Sequence, residues 1–348
     1  MLKLKFLTGV LYIFLAFLLA IVYYRWQTYV LLHEDFELKQ INITRGESAG
    51  EIIHQLKNQK IIESEFGFKI YIYLRNRTDL FQPGQYYLSP AMSWKAILNL
   101  LTSEQANERT VVVREGWTQE EIAVYLEKLG LFSQQDFLGA CYQLGSSGIF
   151  APEAHPPLAE NYGFLSDKPN NHSLEGYLFP DTYRVYRDAK PETVIKKMLG
   201  NFDIKLDSGI REEIIRQHKS IFEVLILASI IEKEAANETD RRLVADIFLR
   251  RLEMGMPLQS CATVNYILTQ KTEHLSLEQT KIDSPYNTYK YYGLPSGPIG
   301  NPGINSIKAV LWPSKNDYLF FLSTDQGQII YSETKEEHDL NKAKYLPR

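Results

Sequence analysis

The stretch Phe222–Thr263, FEVLILASIIEKEAANETDRRLVADIFLRRLEMGMPLQSCAT, governs how the rest of the chain is read. From Val224 to Ile231 it is apolar on every side except at Ser229, so a helix here belongs in a core and not on a surface. Glu232, Lys233 and Glu234 follow at once. The C-terminal end of a helix carries partial negative charge and apolar neighbours withhold solvation, so both raise the pKa of a carboxyl placed there. An acid that keeps its proton near neutral pH is what cleavage of a glycosidic bond requires. The other reading is a chain merely surfacing from its core. Beyond the glutamates, Asn237 can cap a second helix, with Asp240 three residues on. Leu243, Val244, Ile247, Phe248 and Leu252 give that helix an apolar stripe, and Gly255 with Pro257 stops it. The short turn between the helices is expected to hold Glu232 near a bend that a substrate can reach. Arg241, Arg242, Arg250 and Arg251 are expected to form a solvated face, with ion pairing to Glu238 and Glu253 a small addition.

On either side lie stretches with their own chemistry. Upstream, EGYLFPDTYR (Glu175 to Arg184) combines aromatics, carboxylates and a proline that forbids a regular helix interior. It suits a sugar-ring platform and an ordinary aromatic core turn equally well. Downstream come LQSCATVNYIL from Leu258 and SPYNTYKYYGLPSGPIGNPG from Ser284; a loop so rich in glycine and proline must be held by scaffold, and such loops often carry function. YLFFLST (Tyr318 to Thr324), a DQG turn and QIIYSET predict a hairpin, and the charged tail from Glu337 predicts a helix. The segment between Gly145 and Ser173, dense in Pro, Gly, Asn and Ser, reads as a linker, either a long surface loop or a lid.

The first half carries an internal repeat. ITRGESAGEIIHQLKNQKII from Ile43 aligns without a gap with VREGWTQEEIAVYLEKLGLF from Val113, at an offset of 70 positions (116 − 46). Each copy predicts a short strand, a glycine turn at Gly46 or Gly116, and a helix opened by a capping box, Ser48 with Glu51 or Thr118 with Glu121. The pattern is similar to the first half of a LysM module, a small βααβ fold that grips N-acetylated glycans; a generic packing unit is the other reading. Before the repeat, Phe6–Tyr24 is an uncharged run of roughly 19 residues, enough to span a hydrocarbon core of ~30 Å. The small residues of a signal-peptidase site are missing near its end, which predicts an uncleaved anchor, and Lys3 and Lys5 before it, against Arg25 after it, predict that the remaining chain lies outside the cytoplasm.

Bulk numbers narrow the function. The 348 residues leave room for two or three domains. A net charge of −4 argues against a nucleic-acid binder. Two cysteines, Cys141 and Cys261, give no disulfide framework, and the 7 histidines form no HExxH-like pair, so no metal or cofactor is expected.

LASIIEKEA…DRRLVADIFLRRLEMGMPLQS…TV, EGYLFPDTY, YNTY..GLP.GPI.NPG and the Glu337–His338 pair together resemble the endolytic murein transglycosylases, the YceG-like family. The likeness spans nearly the whole chain. It implies an α+β fold: a single transmembrane helix within residues 1–26, a LysM-like region over 27–145 and a mixed α+β catalytic domain over 146–348. It also implies cleavage, without water, of the bond between N-acetylmuramic acid and N-acetylglucosamine inside peptidoglycan strands, leaving 1,6-anhydromuramyl ends. The first glutamate of the EKE motif, Glu232, is the expected catalytic acid. Substrate contacts are expected from Glu175, Tyr177, Thr182, Glu234, Gln259, Tyr286, Asn287 and Tyr289, and the expected protein partners are peptidoglycan synthases. The alternative is a non-catalytic glycan-binding scaffold of the wall-synthesis machinery. The chain departs from the family pattern at Cys261 (for aspartate), Ala262 (for proline), Ser296 (for proline) and Ile329 (for histidine).

Overall fold

The computed structural model describes residues 38–345 apart from 45, 76–80, 103–107, 146–161, 269, 271, 273–274 and 325. The apolar run at 6–24 and most of the proline-rich linker lie outside the described residues. Among the described residues, no helix is long and apolar enough to cross a membrane.

The fold is α+β and divides into two compact units. The smaller takes Met1–Arg109, described from Leu38 onward, together with Arg184–Asp188. It holds β1 (Lys39–Ile43), α1 (Ala49–Asn58), α2 (Glu65–Leu74), β2 (Gly84–Leu88) and α3 (Trp94–Thr102). β1 and β2 pair antiparallel, with Lys39 opposite Leu88 and Ile43 opposite Gly84. Ile41, Ile52, Leu56, Phe68, Tyr71 and Trp94 close the core beneath that ribbon.

The chain continues through β3 (Glu108–Val112), α4 (Gln119–Lys128), α5 (Gln134–Gly145) and β4 (Thr182–Tyr186), with β3 and β4 forming a two-stranded sheet. The order strand, helix, helix, strand therefore occurs twice. Both predicted capping boxes are present, at Ser48/Glu51 and Thr118/Glu121. Both turn glycines lie in the left-handed region, Gly46 at φ +92° and Gly116 at φ +76°, where a side chain is strained. The second copy's closing strand is displaced in sequence by the linker and the EGYLFPDTY segment, which is why only the first half of the repeat shows as sequence similarity.

The larger unit comprises Thr110–Tyr183 and Ala189–Arg348. After α6 (Pro191–Lys205) and α7 (Ser208–Arg216) comes the central helix α8 (Ile221–Glu234). Ser220 and Glu223 form a capping box at its start, and the Ile221 N–H also donates to Asp167 Oδ2 at 2.5 Å. Val224 to Ile231 are all buried, as their composition requires. Ser229 is the polar exception: its hydroxyl donates to the Ile226 carbonyl at 2.8 Å and accepts the Ile299 N–H at 3.0 Å, so the helix pins the glycine–proline loop. α9 (Glu238–Glu253), α10 (Cys261–Ile267) and α11 (Ile304–Leu311) pack around α8. Asn237 caps α9, accepting from Asp240 N–H. The hairpin of β5 (Phe320–Ser323) and β6 (Ile329–Ser332) lies against α12 (Lys335–Tyr345).

One expectation about α9 fails. Arg241 and Arg251 are buried rather than part of a solvated face. Arg251 is spent on backbone, donating to the Leu258 and Leu319 carbonyls at 2.8 and 2.9 Å. Arg242 does pair with Glu238, at 2.9 Å. An arginine can be buried when carbonyls and carboxylates occupy all sides of its guanidinium, and composition alone does not reveal such partners.

Candidate active site

A cavity of about 1240 Å³ opens in the larger unit. The start of α4 forms one wall, with Trp117 and Tyr125; β5 and α12 form another, with Phe320, His338 and Lys342. Lys233 and Glu234 enter from the end of α8, and Gln259, Cys261, Tyr266 and Tyr289 complete the lining. Glu234 is the last residue of α8, so it sits where the helix's partial negative charge is strongest. Its Oε1 accepts the Ser260 hydroxyl at 2.5 Å. Burial pushes its pKa above the usual carboxylate range, opposed by the Ser260 hydroxyl and the Ala262 backbone N–H. Gln259 beside it adopts φ +50°, a conformation that costs a non-glycine residue about 1–2 kcal/mol, and its N–H is held by the Thr288 carbonyl at 3.1 Å. Backbone strain kept in a cleft wall is a common mark of a working site.

Glu232 is not among the residues that line this cavity. Its side chain is 4% exposed and forms an ion pair with Arg241 (9% exposed) at 2.5 Å. Its other oxygen accepts the Gly303 N–H at 2.9 Å and the Ser306 hydroxyl at 2.8 Å. Arg241 also donates to the Ala235 carbonyl at 3.0 Å and lies 3.7 Å from Glu115. The Glu115 carboxyl packs directly over Gly303, so a side chain at that position would have to displace it. Glu232 thus ties the end of α8 to the starts of α9 and α11, with both oxygens occupied by protein donors.

Glu175 lies behind the cavity. It is buried and accepts the Gln119 N–H at 3.1 Å, the Asn301 amide at 2.9 Å and the Tyr266 hydroxyl at 3.3 Å. Burial pushes its pKa up to about 8 despite those donors. Tyr266 is the side chain through which it reaches the lining. Tyr286 packs on Tyr266 with ring centroids 5.0 Å apart. Asn287 is fully buried and works on its own loop, donating to the Thr280 and Ile282 carbonyls at 3.0 and 2.8 Å. Tyr177 is a core residue, packed between Phe164 and Phe202. Thr182 opens β4 and is exposed. Of the predicted site residues, then, Glu234, Gln259 and Tyr289 meet in the cavity, Glu175 and Tyr286 stand one side chain behind it, and Glu232, Tyr177, Thr182 and Asn287 do not line it. Asn301 went unnoticed in the sequence: it bonds Glu175, the Trp117 carbonyl and the N–H groups of Gly176 and Leu178, all at 2.9 Å. The GNPG run around it was the available signal. Among the described residues, no group of His, Cys, Asp and Glu is placed to hold a metal ion.

A model of the YceG-like family matches residues 41–344. The chain belongs to the YceG-like family. An endolytic murein transglycosylase of Bacillus subtilis is 34% identical over 308 residues, covering 88% of this chain and 84% of that protein. One from Streptococcus pneumoniae serotype 2 is 32% identical and covers 96% of this chain, which spans 64% of that protein's length. A crystal structure of a yceG-like protein from Listeria monocytogenes is similar with a TM-score of 0.59 and 33% identity, over 88% of this chain and 99% of that one.

Within this YceG-like chain two of the four sequence departures, Cys261 and Ala262, lie beside Glu234. Cys261 opens α10 with its Sγ 3.0 Å from the Tyr289 hydroxyl, and burial pushes its pKa up. Ala262 offers Glu234 a backbone N–H that a proline lacks. Ser296 bonds Tyr286, while Ile329 begins β6.

Proposed function

We propose that this chain is an endolytic murein transglycosylase that cuts the bond between N-acetylmuramic acid and N-acetylglucosamine in peptidoglycan strands, with Glu234, and not Glu232, as the proton-transfer group. The observation that carries the assignment is the contrast between the two carboxyls. Glu234 faces the cavity from a helix end with burial raising its pKa, whereas protein donors occupy both oxygens of Glu232. Glu234 gives its proton to the glycosidic oxygen as the bond to the anomeric carbon breaks. The sugar's own C6 hydroxyl oxygen closes on that carbon, and its proton returns to Glu234. The carboxyl ends as it began and no water is consumed. Because the nucleophile belongs to the substrate, no second carboxylate at nucleophile distance is needed. Gln259 and Tyr289 are the polar wall against which the sugar is oriented.

The relatives' names and the cavity support this reading together. The apolar run at 6–24 serves as a single membrane anchor with the rest of the chain outside the cytoplasm, and the strand–helix–helix–strand repeats are LysM-like elements that contact glycan. Peptidoglycan synthases are the natural partners, since an endolytic cutter must meet nascent strands; absence of any synthase from a cross-linked pull-down would count against that part. The activity is tested by digesting purified sacculi with the full-length protein in detergent and weighing the products. Ends lighter by one water than hydrolytic ends are expected. Hydrolytic ends would indicate a muramidase, and binding without cleavage would indicate a scaffold.

A further inference from the structure

Trp117 is the large aromatic that the second repeat copy presents to the cavity, and the proposed chemistry leaves it without a role. It is half-buried and meets Tyr125, also in the lining, edge to face at 5.2 Å. Its backbone is fixed from the glycine–proline loop: its carbonyl accepts both the backbone N–H and the side-chain amide of Asn301 at 2.9 Å, and the N–H of Gly116 before it donates to the Asn301 carbonyl at 2.7 Å. Gly116 in turn abuts the end of α8, where a Cβ would come within 3.3 Å of Glu232. Lys233, the neighbour of Glu234, reaches Glu121 on α4 at 4.0 Å. The segment that carries the aromatic pair is therefore packed against the end of α8, and the pair lines the same cavity as Glu234. Glu120 and Lys128 add hydrogen-bonding groups from the same helix.

A pyranose ring has one flat face of C–H bonds and a rim of hydroxyl and amide groups. A fixed aromatic surface with charged neighbours matches that chemistry, and fixing it in advance reduces the ordering lost on binding. We propose that Trp117 and Tyr125 form a saccharide subsite that stacks an N-acetylated pyranose of the glycan strand next to the residue cleaved. This deepens the transglycosylase reading, on which it rests for its ligand.

The test measures binding and cleavage separately. Full-length protein in detergent is titrated calorimetrically with a soluble β-1,4-linked N-acetylglucosamine oligosaccharide, and sacculus digestion is followed in parallel. Trp117→Leu keeps apolar bulk without a π-face and should bind about tenfold more weakly, with a matching rise in KM and little change in kcat; Trp117→Phe should restore most of the affinity. If Trp117→Leu does not fold, Tyr125→Leu asks the same question of the other ring. Equal affinity of the leucine, phenylalanine and wild-type proteins, or no binding by wild type, would overturn the subsite. Binding that depends on Trp117 in a protein that never cleaves sacculi would leave the subsite standing and remove the enzyme; cleavage indifferent to Trp117 would do the reverse.

Discussion

Glu232 and Arg241 form a buried ion pair at the end of α8. Removing one member of a buried ion pair strands the other charge, at a cost of about 3–5 kcal/mol. Arg241→Met should therefore lose stability of that order in denaturant titration, and adding Glu232→Gln should recover part of it; an unchanged midpoint would show that the pair is dispensable. Glu175 gives a pH signature. Its carboxyl is raised from 4.5 to about 8 in the fold, so its contribution to stability is full below pH 4.5 and is lost as pH rises to about 8. Glutamine mimics the protonated acid, so the melting temperature of Glu175→Gln should gain on wild type across that window; parallel curves would contradict the burial argument. For Glu234, Ala262→Pro removes a backbone donor that favours the charged form, at a position in the first turn of α10 where proline is tolerated. The alkaline limb of kcat/KM should then move to higher pH, and a shift to lower pH would argue against Glu234 as the acid.

At the scale of the element, most of the fold could be read in advance. The apolar run from Val224 to Ile231 is buried as its composition requires, and Ser48, Thr118 and Asn237 cap the helices they precede as expected; Ser220 caps α8 in the same way. Capping is a short-range effect, so it is visible in sequence. Replacing Ser220 by alanine should cost about 1 kcal/mol of stability, measured by thermal unfolding, with a smaller loss expected if Asp167 alone can hold the N-terminus of α8. What sequence could not say is which glutamate at the end of α8 meets the cavity. Two residues along a helix turn through roughly 200°, so Glu232 and Glu234 point to nearly opposite sides. Both lie in the last turn of α8, so the helix-end argument applies to either, and orientation decides which one the cavity meets. Burial of Arg241 was not legible for a related reason: its partners Glu232 and Ala235 lie at the end of the preceding helix, and the turn between fixes the approach.

At the scale of the molecule, the repeat is fuller in three dimensions than in sequence. The helices of its second copy belong to the larger unit, where α4 forms a wall of the cavity, while the first copy stands in the smaller unit with its own core. Long-range convergence is the part no local pattern encodes. Asn301 joins Trp117, Gly176 and Glu175 across more than a hundred residues of chain. The central question is which carboxyl transfers the proton. Full-length wild type, Glu234→Gln and Glu232→Gln should each be incubated with purified sacculi, and the anhydromuropeptides quantified by mass after each variant is shown to be folded. Anhydro ends are expected from wild type, none above background from Glu234→Gln, and residual anhydro ends from Glu232→Gln in proportion to its folded fraction. Loss of all product in folded Glu232→Gln together with wild-type yield from Glu234→Gln would contradict the assignment to Glu234.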